Sequence, residues 1–384
     1  MKMKKLTALG LCLVLAGGSV LTGCGGSDTS ATAEPSETEA AGETAAASGE
    51  EGLSEENLQT DVTTSDLVLT REDEPIASYT PQKDTYEIYA TYKLVHAWYD
   101  TIKIGVDKAV EEYAQQGITI NVDWNAPTVP SGEDQVSRIE AGIAKDPDVI
   151  AIDLSDPELA VSAINEAESM GIPVLLFASA DAPADADCQR TAFIGTNNNV
   201  GDARELAKAI CDEIGDEGEV ALLTGTIGAA NHEERNEGFY AELEEHPNVT
   251  IVDEQRDEDL VEKATQITET FIQKYPDLKA ILCNNMSNPV GAAAAVADAG
   301  KSGEILIGAY DHDRRTLEYL ADGTIYCSVI QNCIDMGYWM VKTAVMMADG
   351  LEPGEDTYPE VYDTGSTIIY QEDAQEWIER LYGE

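Results

Sequence analysis

The sequence predicts an α/β fold with two doubly wound parallel-sheet lobes joined by a hinge. From residue 85 onward, short apolar segments alternate with longer amphipathic segments, a pattern typical of repeated strand–helix units. The links between them are only a few residues long, which favours parallel strands with crossover helices. The alternation forms two series that meet at residues 171–201.

Residues 171–201 contain the predicted passage between the lobes. An apolar strand at 172–177 follows Gly171, and a polar loop leaves its carboxyl end, where open α/β sheets bind ligands. A second strand at 191–194 follows. Asn197, Asn198, Asn199 and Gly201 then suit a turn and a helix N-cap. The chain is therefore expected to enter a second lobe here.

Each series is a succession of strands and helices. The first has strands at 87–91, 118–123, 149–152 and 172–177 and helices at 98–115, 133–145 and 157–170. The second has strands at 219–223, 250–253, 279–282, 305–309, 325–329 and 367–370 and helices at 200–214, 233–244, 260–274, 289–299, 314–321, 333–347 and 373–381. We expect a first lobe of 85–198 plus 331–360, and a second lobe of 199–330 plus 361–384.

The residues before 85 are predicted to serve export and attachment. Lysines followed by a short apolar run indicate a signal peptide at 1–23. Its end, Leu-Thr-Gly-Cys, resembles the lipobox of bacterial lipoproteins, which implies that Cys24 is lipidated; an ordinary secretory signal is the alternative. Residues 24–82 are rich in Ser, Thr, Ala and Glu, so we expect a disordered acidic tether. The protein should then be extracytoplasmic and attached to the membrane through lipid only.

Charge and cysteine content narrow the class of protein further. The formal net charge is −50, from 73 acidic and 23 basic residues, so nucleic acid is not an expected partner. Beyond Cys12 and Cys24 an odd number of cysteines remains, which argues against a disulfide framework.

Several short motifs follow one another along the chain. They are Lys-Leu-Val-His-Ala-Trp-Tyr at 93–99, Ala-Pro at 126–127 with Asp134 and Gln135, Gly-Ile-Pro-Val at 171–174, Gly-Thr-Asn-Asn at 195–198, Arg-Asn-Glu-Gly-Phe at 235–239, residues 284–292, Ile-Gly-Ala-Tyr-Asp at 307–311, and Val-Ile-Gln at 329–331 with Met336 and Gly337. Their order and spacing resemble the type I periplasmic-type solute-binding proteins, the sugar-binding subunits of bacterial ABC importers. The Lys-Leu-Val start and the Ala-Pro-Thr-x-Pro-Ser link are similar to the branch that includes ribose-, rhamnose- and autoinducer-2-binding proteins.

This resemblance implies a binding cleft between the lobes and a set of side chains around the solute. An aromatic ring offers its face to the C–H groups of a sugar, while amides and carboxylates contact its hydroxyls. The candidate contacts are Lys93, His96, Trp98, Tyr99, Asp156, Ser179, Asp181, Asn231, Glu233, Asn285, Asp311 and Gln331. Core packing for the aromatic residues, solvation for Lys93, and turn, capping or hinge roles for the polar residues are the alternatives.

Two positions depart from the family pattern. Many members carry an Asp, often with Arg, where this chain has Ala178 and Ser179, and an Arg where it has Glu233. The loss of a charged hydroxyl contact leaves open a solute other than a standard pyranose. Asp181, Asp153 and Asp156 are the candidates for the missing carboxylate.

The sequence contains no pattern typical of catalysis. The histidines lack metal-ligand spacing, and neither a P-loop nor a Gly-x-Ser-x-Gly elbow occurs. We therefore expect a monomeric binding protein without cofactor or metal, whose partners are a small sugar-like solute and an ABC permease. A ligand-sensing subunit for a histidine kinase, or an exported enzyme on the same fold, are the alternatives.

Overall fold

A computed structural model describes residues 75–128 and 131–383. The predicted signal peptide, Cys24 and residues 24–74 of the predicted tether lie outside the described residues. Within the described part, no helix combines the length and the apolar character needed to cross a membrane.

The first lobe is a parallel sheet with helices on both faces. Its elements up to the first crossing are α1 (Pro75–Ser78), β1 (Thr85–Thr91), α2 (Trp98–Gln115), β2 (Thr119–Asn125), α3 (Gly132–Ile143), β3 (Val149–Ile152), α4 (Pro157–Ser169), β4 (Val174–Ala178) and β5 (Ala192–Gly195).

The second lobe has the same layered arrangement. Its elements are α5 (Asn199–Ile214), β6 (Gly218–Thr224), α6 (Ala230–Leu243), β7 (Val249–Arg256), α7 (Val261–Lys274), β8 (Leu278–Cys283), α8 (Ser287–Asp298), β9 (Leu306–Tyr310), α9 (Arg314–Asp322) and β10 (Cys327–Gln331). The chain then returns to the first lobe with α10 (Cys333–Ala348) and β11 (Val361–Asp363), and ends in the second lobe with β12 (Ser366–Tyr370), a 3₁₀ turn (Gln371–Asp373) and α11 (Ala374–Tyr382).

Strand order confirms the predicted fold class. Among the described residues the first sheet has the order β11-β5-β4-β3-β1-β2 and the second β12-β10-β9-β8-β6-β7. All neighbours are parallel except the edge strand β12, which pairs antiparallel with β10. The strands of both sheets therefore end at the cleft between the lobes.

Two predicted boundaries are corrected by packing. Residues 361–363 were expected in the second lobe, but β11 pairs in parallel with Phe193, Ile194 and Gly195 of the first sheet. The predicted tether extended to residue 82, yet Ile76 of α1 is 1% exposed and belongs to the first-lobe core. The end of that segment is folded because its apolar residues pack against α10.

Helix α10 organises the first lobe. Nearly all its residues are buried, and it packs on α2 at a spacing that requires glycine. A Cβ at Gly105 would lie 1.9 Å from the carbonyl oxygen of Ile334, and one at Gly337 would lie 2.0 Å from that of Ile102. The two backbones therefore touch, which fixes the start of α2 beside the hinge.

Candidate functional site

A cavity lies between the lobes where the strands of both sheets end. The first lobe contributes residues that follow β1 and β4, and the second lobe contributes residues at the ends of β6 to β10. The lining residues are Lys93, Leu94, His96, Trp98, Tyr99, Ser179, Asn231, His232, Arg235, Asp259, Asn285, Met286, Asp311 and Gln331. The empty space is about 370 Å³, its opening to solvent included.

The aromatic wall of the cavity comes from the start of α2. Trp98 is 7% exposed and its indole nitrogen donates to Oδ1 of Asp311 at 3.1 Å, across the cleft. Tyr99 meets Trp98 edge-on with ring centroids 5.1 Å apart. Its hydroxyl donates to the buried carboxylate of Asp153, and burial together with Asp153 raises the pKa of Tyr99 well above its usual value. Tyr99 is thus a neutral support for the Trp98 ring.

The hinge side of the cavity is a chain of directed hydrogen bonds. Nε2 of Gln331 donates to Oδ1 of Asp311 at 2.7 Å, and Oε1 of Gln331 accepts from the hydroxyl of Thr196 at 3.0 Å. Asp311 has a φ of 70°, in the left-handed region, and its backbone N–H bonds to the carbonyl of Val329 at 2.7 Å. Gln331 therefore connects the first crossing, at Thr196, and the second crossing, where Gln331 itself lies, to the carboxylate of Asp311.

Arg235 lies at the floor of the cavity on α6. Its Nε donates to Oδ1 of Asn199 at 3.1 Å, and its Nη1 to the carbonyl of Asn284 at 2.8 Å. The guanidinium lies 4.1 Å from the ring centroid of Tyr310. Nη2 is buried without a hydrogen-bond partner among the described residues. A buried donor left in this state costs free energy, so a polar solute atom is a fitting partner for it.

A pair of carboxylates follows β7. Asp259 is 4% exposed, and its carboxylate accepts from the hydroxyl of Thr226 and from Nδ2 of Asn285, the latter at 2.6 Å. Asp257 lies behind it and accepts from Nδ2 of Asn288 at 2.6 Å and from the backbone N–H of Asp259 at 2.9 Å.

The carboxyl groups of Asp257 and Asp259 differ in protonation state. Burial, with the charge of Asp259, raises the pKa of Asp257 to about 8. Burial opposes ionisation of Asp259, but its electrostatic interactions with His232, which is protonated only in strong acid, and with Lys93, together with the hydrogen bond from Thr226, lower its pKa to about 2. At neutral pH the carboxylate facing the cavity carries the charge and the one behind it is protonated.

Both histidines of the cavity are neutral at physiological pH. His96 lines the cavity and is half-buried, and desolvation by the cavity walls lowers its pKa to about 4. Burial likewise lowers the pKa of His232 to about 3, and Lys93 contributes to both shifts. Among residues 75–128 and 131–383, no group of three or more His, Cys, Asp or Glu side chains is placed to hold a metal ion.

Most of the expected contacts line this cavity, and three do not. Lys93, His96, Trp98, Tyr99, Ser179, Asn231, Asn285, Asp311 and Gln331 are brought together. Asp156 instead caps α4 through the N–H of Leu159 at 3.2 Å. Asp181 is paired with Arg190, and Glu233 with Arg256 at 3.0 Å.

The cavity also contains residues that sequence reasoning did not select: Leu94, His232, Arg235, Asp259 and Met286. Arg235 was recognised as part of a motif, but without a role at the solute. Asp259 was missed because β7 was predicted to end at residue 253, whereas polar residues extend it to Arg256. The acidic residues 257–259 are therefore at a strand end.

The chain crosses between the two α/β lobes three times, after β5, after β10 and after β11. These crossings, with a polar cavity and an aromatic wall between the lobes, define a periplasmic-type binding protein. Residues 88–352 match the family model described as "Periplasmic binding protein domain", and the chain belongs to this family.

Named relatives are sugar-binding proteins. The chain is 24% identical over 276 residues to the D-ribose/D-allose-binding protein of Pseudomonas aeruginosa, covering 71% of this chain and 85% of the relative. It is 32% identical over 186 residues to the D-allose-binding periplasmic protein of Escherichia coli, but the match spans 47% of this chain and 58% of that relative. A solute-binding protein of an ABC transporter from Burkholderia graminis, solved in complex with D-arabinose, is 26% identical with a TM-score of 0.67, covering 77% of this chain and 98% of that one.

Proposed function

We propose that this protein is the extracytoplasmic binding subunit of an ABC importer. It closes its lobes on one small sugar or sugar-like solute and presents it to a permease, and no bond is made or broken. The observation that carries the proposal is the inter-lobe cavity with Trp98 on one wall and Asn285, Arg235 and Asp311 on the other. The family relationship, and the sugars named for the relatives, support the same function.

The size and chemistry of the cavity fit one compact polar solute. The space between the lobes is small, about 370 Å³ with its opening to solvent included, which favours one compact solute. The Trp98 face would cover the apolar side of the ring, while the buried amides and charged groups would bond to its hydroxyls. Water is displaced when the lobes close, which strengthens these bonds.

We further propose that Asn231, Ser179, Lys93 and His96 contribute to the solute shell, and that Tyr99 acts through Trp98. The lobes touch across the cleft at Thr101 and His312, whose Oγ1 and Nε2 atoms are 3.0 Å apart. Such contacts would form as the solute is enclosed. The protein would act as a monomer, with the permease as its macromolecular partner.

A thermal-shift screen tests this function. We define the sugar panel as D-ribose, D-allose, D-arabinose and D-xylose, with D-gluconate and D-glucosamine as charged comparisons. A panel sugar is expected to raise the melting temperature of a chain starting at residue 75, because ligands that bind only the folded state stabilise it. Trp98→Ala should abolish the shift while circular dichroism remains unchanged. No shift with any panel sugar would contradict the proposed solute class.

Attachment through lipid at Cys24 is a separate part of the proposal. The full chain should partition with membranes when expressed in its host, and Cys24→Ser should release it into the soluble extracytoplasmic fraction. Incorporation of labelled palmitate into the wild type but not the variant provides the direct measurement. Equal labelling of both forms would remove Cys24 from this role.

A further inference from the structure

The most unusual feature of the cavity is an ionised carboxylate on its second-lobe wall, opposite an ammonium group on the first lobe. Lys93, which follows β1, is 5% exposed, and Asp259, which follows β7, is 4% exposed. Both line the cavity. Each is therefore a buried charge that comes from a different lobe.

Within the described part of the chain, the ammonium group of Lys93 has no hydrogen-bond partner and no ion-pair partner within 4.0 Å. Its charge is nevertheless felt by its surroundings, since it lowers the pKa values of Asp259, His96 and His232. Lys93 is 5% exposed and lines the cavity, so its ammonium group is accessible from the cavity, and a polar solute atom is a fitting partner for it.

Asp259, in contrast, is fixed in place. Thr226 and Asn285 donate to its carboxylate, and its backbone N–H is bonded to Asp257. Both Asp259 and Glu258 have φ values in the left-handed region, 62° and 59°. This backbone conformation turns Asp259 into the cavity and Glu258 outward, where it pairs with Lys263 at 2.8 Å.

We propose that Asp259 is a specificity-determining residue of this cavity, which together with Lys93 holds a single hydroxyl group of the solute between the two lobes. The hydroxyl donates its proton to the carboxylate and accepts a hydrogen bond from the ammonium. The inference rests on the proposed function.

The opposite charges of Lys93 and Asp259 determine which chemical group of the solute can lie between them. A hydroxyl is both donor and acceptor, so it satisfies both charges. A carboxylate offers only acceptors and is repelled by Asp259, whereas an ammonium offers only donors and is repelled by Lys93. Among the other lining groups, Arg235 and Asp311 carry opposite charges and the two histidines are neutral, so no excess charge favours an ionic solute.

The arrangement also links binding to closure. Lys93 and Asp259 belong to different lobes and are not in direct contact, so a solute hydroxyl between them connects the lobes. Asp257 is a positioning residue in this scheme, since it holds the backbone of Asp259 without reaching the cavity. The bond to the solute exists only when both lobes are in place.

The test is a double-mutant cycle measured by calorimetry with the tightest-binding member of the sugar panel. Asp259→Asn is expected to weaken binding about 10- to 100-fold, the range for a lost hydrogen bond to a charged group. Lys93→Gln should weaken it similarly, and the double variant should lose little more than either single variant. Glu258→Gln, which removes a charge from the same loop outside the cavity, is the matched control and should bind like the wild type.

A second measurement separates contact from a structural role. Deoxy analogues of that sugar, each lacking one hydroxyl, are titrated into the wild type and Asp259→Asn. One analogue should bind the wild type as weakly as the parent sugar binds Asp259→Asn. The affinity of Asp259→Asn for this analogue should be no lower than its affinity for the parent sugar. If Asp259→Asn is poorly folded, Lys93→Gln on the other lobe takes its place in this comparison.

The outcomes are distinguishable. Unchanged affinity of Asp259→Asn, or strictly additive losses in the cycle with no analogue that reproduces them, overturns the role of Asp259 and leaves the proposed function intact. Failure of the wild type to bind any panel sugar overturns the proposed function and this inference with it. Tighter binding of D-gluconate or D-glucosamine than of the neutral sugars also contradicts the charge argument.

Discussion

The indole nitrogen of Trp98 donates a 3.1 Å hydrogen bond to Oδ1 of Asp311, so a first-lobe aromatic side chain is held by a second-lobe carboxylate. The same oxygen accepts from Gln331 at 2.7 Å, and Gln331 is bonded to Thr196 at the first crossing. The aromatic wall is thus connected directly to the hinge. Movement of either lobe changes the position of the ring.

Replacement of Trp98 by phenylalanine separates the two roles of this ring. Trp98→Phe retains an aromatic wall but cannot donate to Asp311. We expect the affinity for the tightest-binding panel sugar to fall about tenfold or more, as for a lost hydrogen bond to a charged group. Calorimetry measures the change, with Tyr240→Phe, on the outer surface of α6, as the control. Wild-type affinity in Trp98→Phe would show that only the ring face matters.

Asp257 should make the stability of the unliganded protein depend on pH. Its pKa is raised from 3.8 to about 8, so the folded protein keeps a proton that the unfolded chain releases over this range. The proton on Asp257 therefore adds to the free energy of unfolding. This added stability is fully present below about pH 4 and is lost as the pH rises through about 8, and the free energy of unfolding falls by at most about 1.4 kcal/mol per pH unit.

The variant that tests this is Asp257→Asn, which resembles the protonated acid and does not titrate. Its free energy of unfolding, relative to that of the wild type, should increase between pH 5 and pH 8 in urea titrations. Glu258→Gln provides the comparison on the same loop. An equal difference between Asp257→Asn and the wild type at both pH values would contradict a proton held on Asp257.

Gly105 should be intolerant of even one methyl group. Its Cβ would lie 1.9 Å from the carbonyl oxygen of Ile334, so Gly105→Ala has to force α2 and α10 apart. The expected loss is at least about 1–3 kcal/mol, the usual cost of overpacking, despite the higher helix propensity of alanine. Urea unfolding measures it, and Glu111→Ala on the exposed side of α2 should be nearly neutral. A stabilised Gly105→Ala would contradict the close approach of the two helices.

The segment at 75–82 should contribute to stability although it precedes the first strand. Ile76 is buried, and the carboxylate of Asp349 accepts from the Tyr79 hydroxyl at 2.8 Å and the N–H of Gln82 at 2.9 Å. A chain that starts at residue 83 should therefore unfold more easily than one that starts at 75. The expected difference is about 2 kcal/mol from burial of Ile76 alone. Identical urea midpoints would show that the segment adds nothing.

The fold was predictable because periodicity reports directly on burial. Strands such as Val149–Ile152 and Val174–Ala178 are buried on both faces and read as continuous apolar runs. Strand β11 was not predicted, since three residues with mixed burial carry almost no periodic signal. Helix α1 was assigned to the tether for a related reason: its few apolar residues follow a long acidic stretch, and only their contact with α10 shows that they are buried.

The cavity was predictable where a residue of a suitable type lies at the clear boundary of an element. Trp98, the first residue of α2, and Gln331, the last residue of β10, are of this kind. Asp181 was misplaced because Arg190, nine positions later in the chain, folds back to pair with it, a contact that residue spacing does not encode. Asp259 could not be distinguished from the other acidic residues, because its significance depends on Lys93 approaching from the other lobe.

The interleaving of the chain between the lobes has a consequence for biogenesis. Helix α10 completes the first lobe, and the hydroxyl of Tyr338 donates to Glu112 across 226 residues of sequence. Partners so far apart form contacts late, because the intervening polypeptide must first be closed into a loop. A ribosome therefore has to synthesise almost the whole polypeptide before either half can acquire its last strand, and until then the nascent chain remains accessible to chaperones and to passage through a narrow channel.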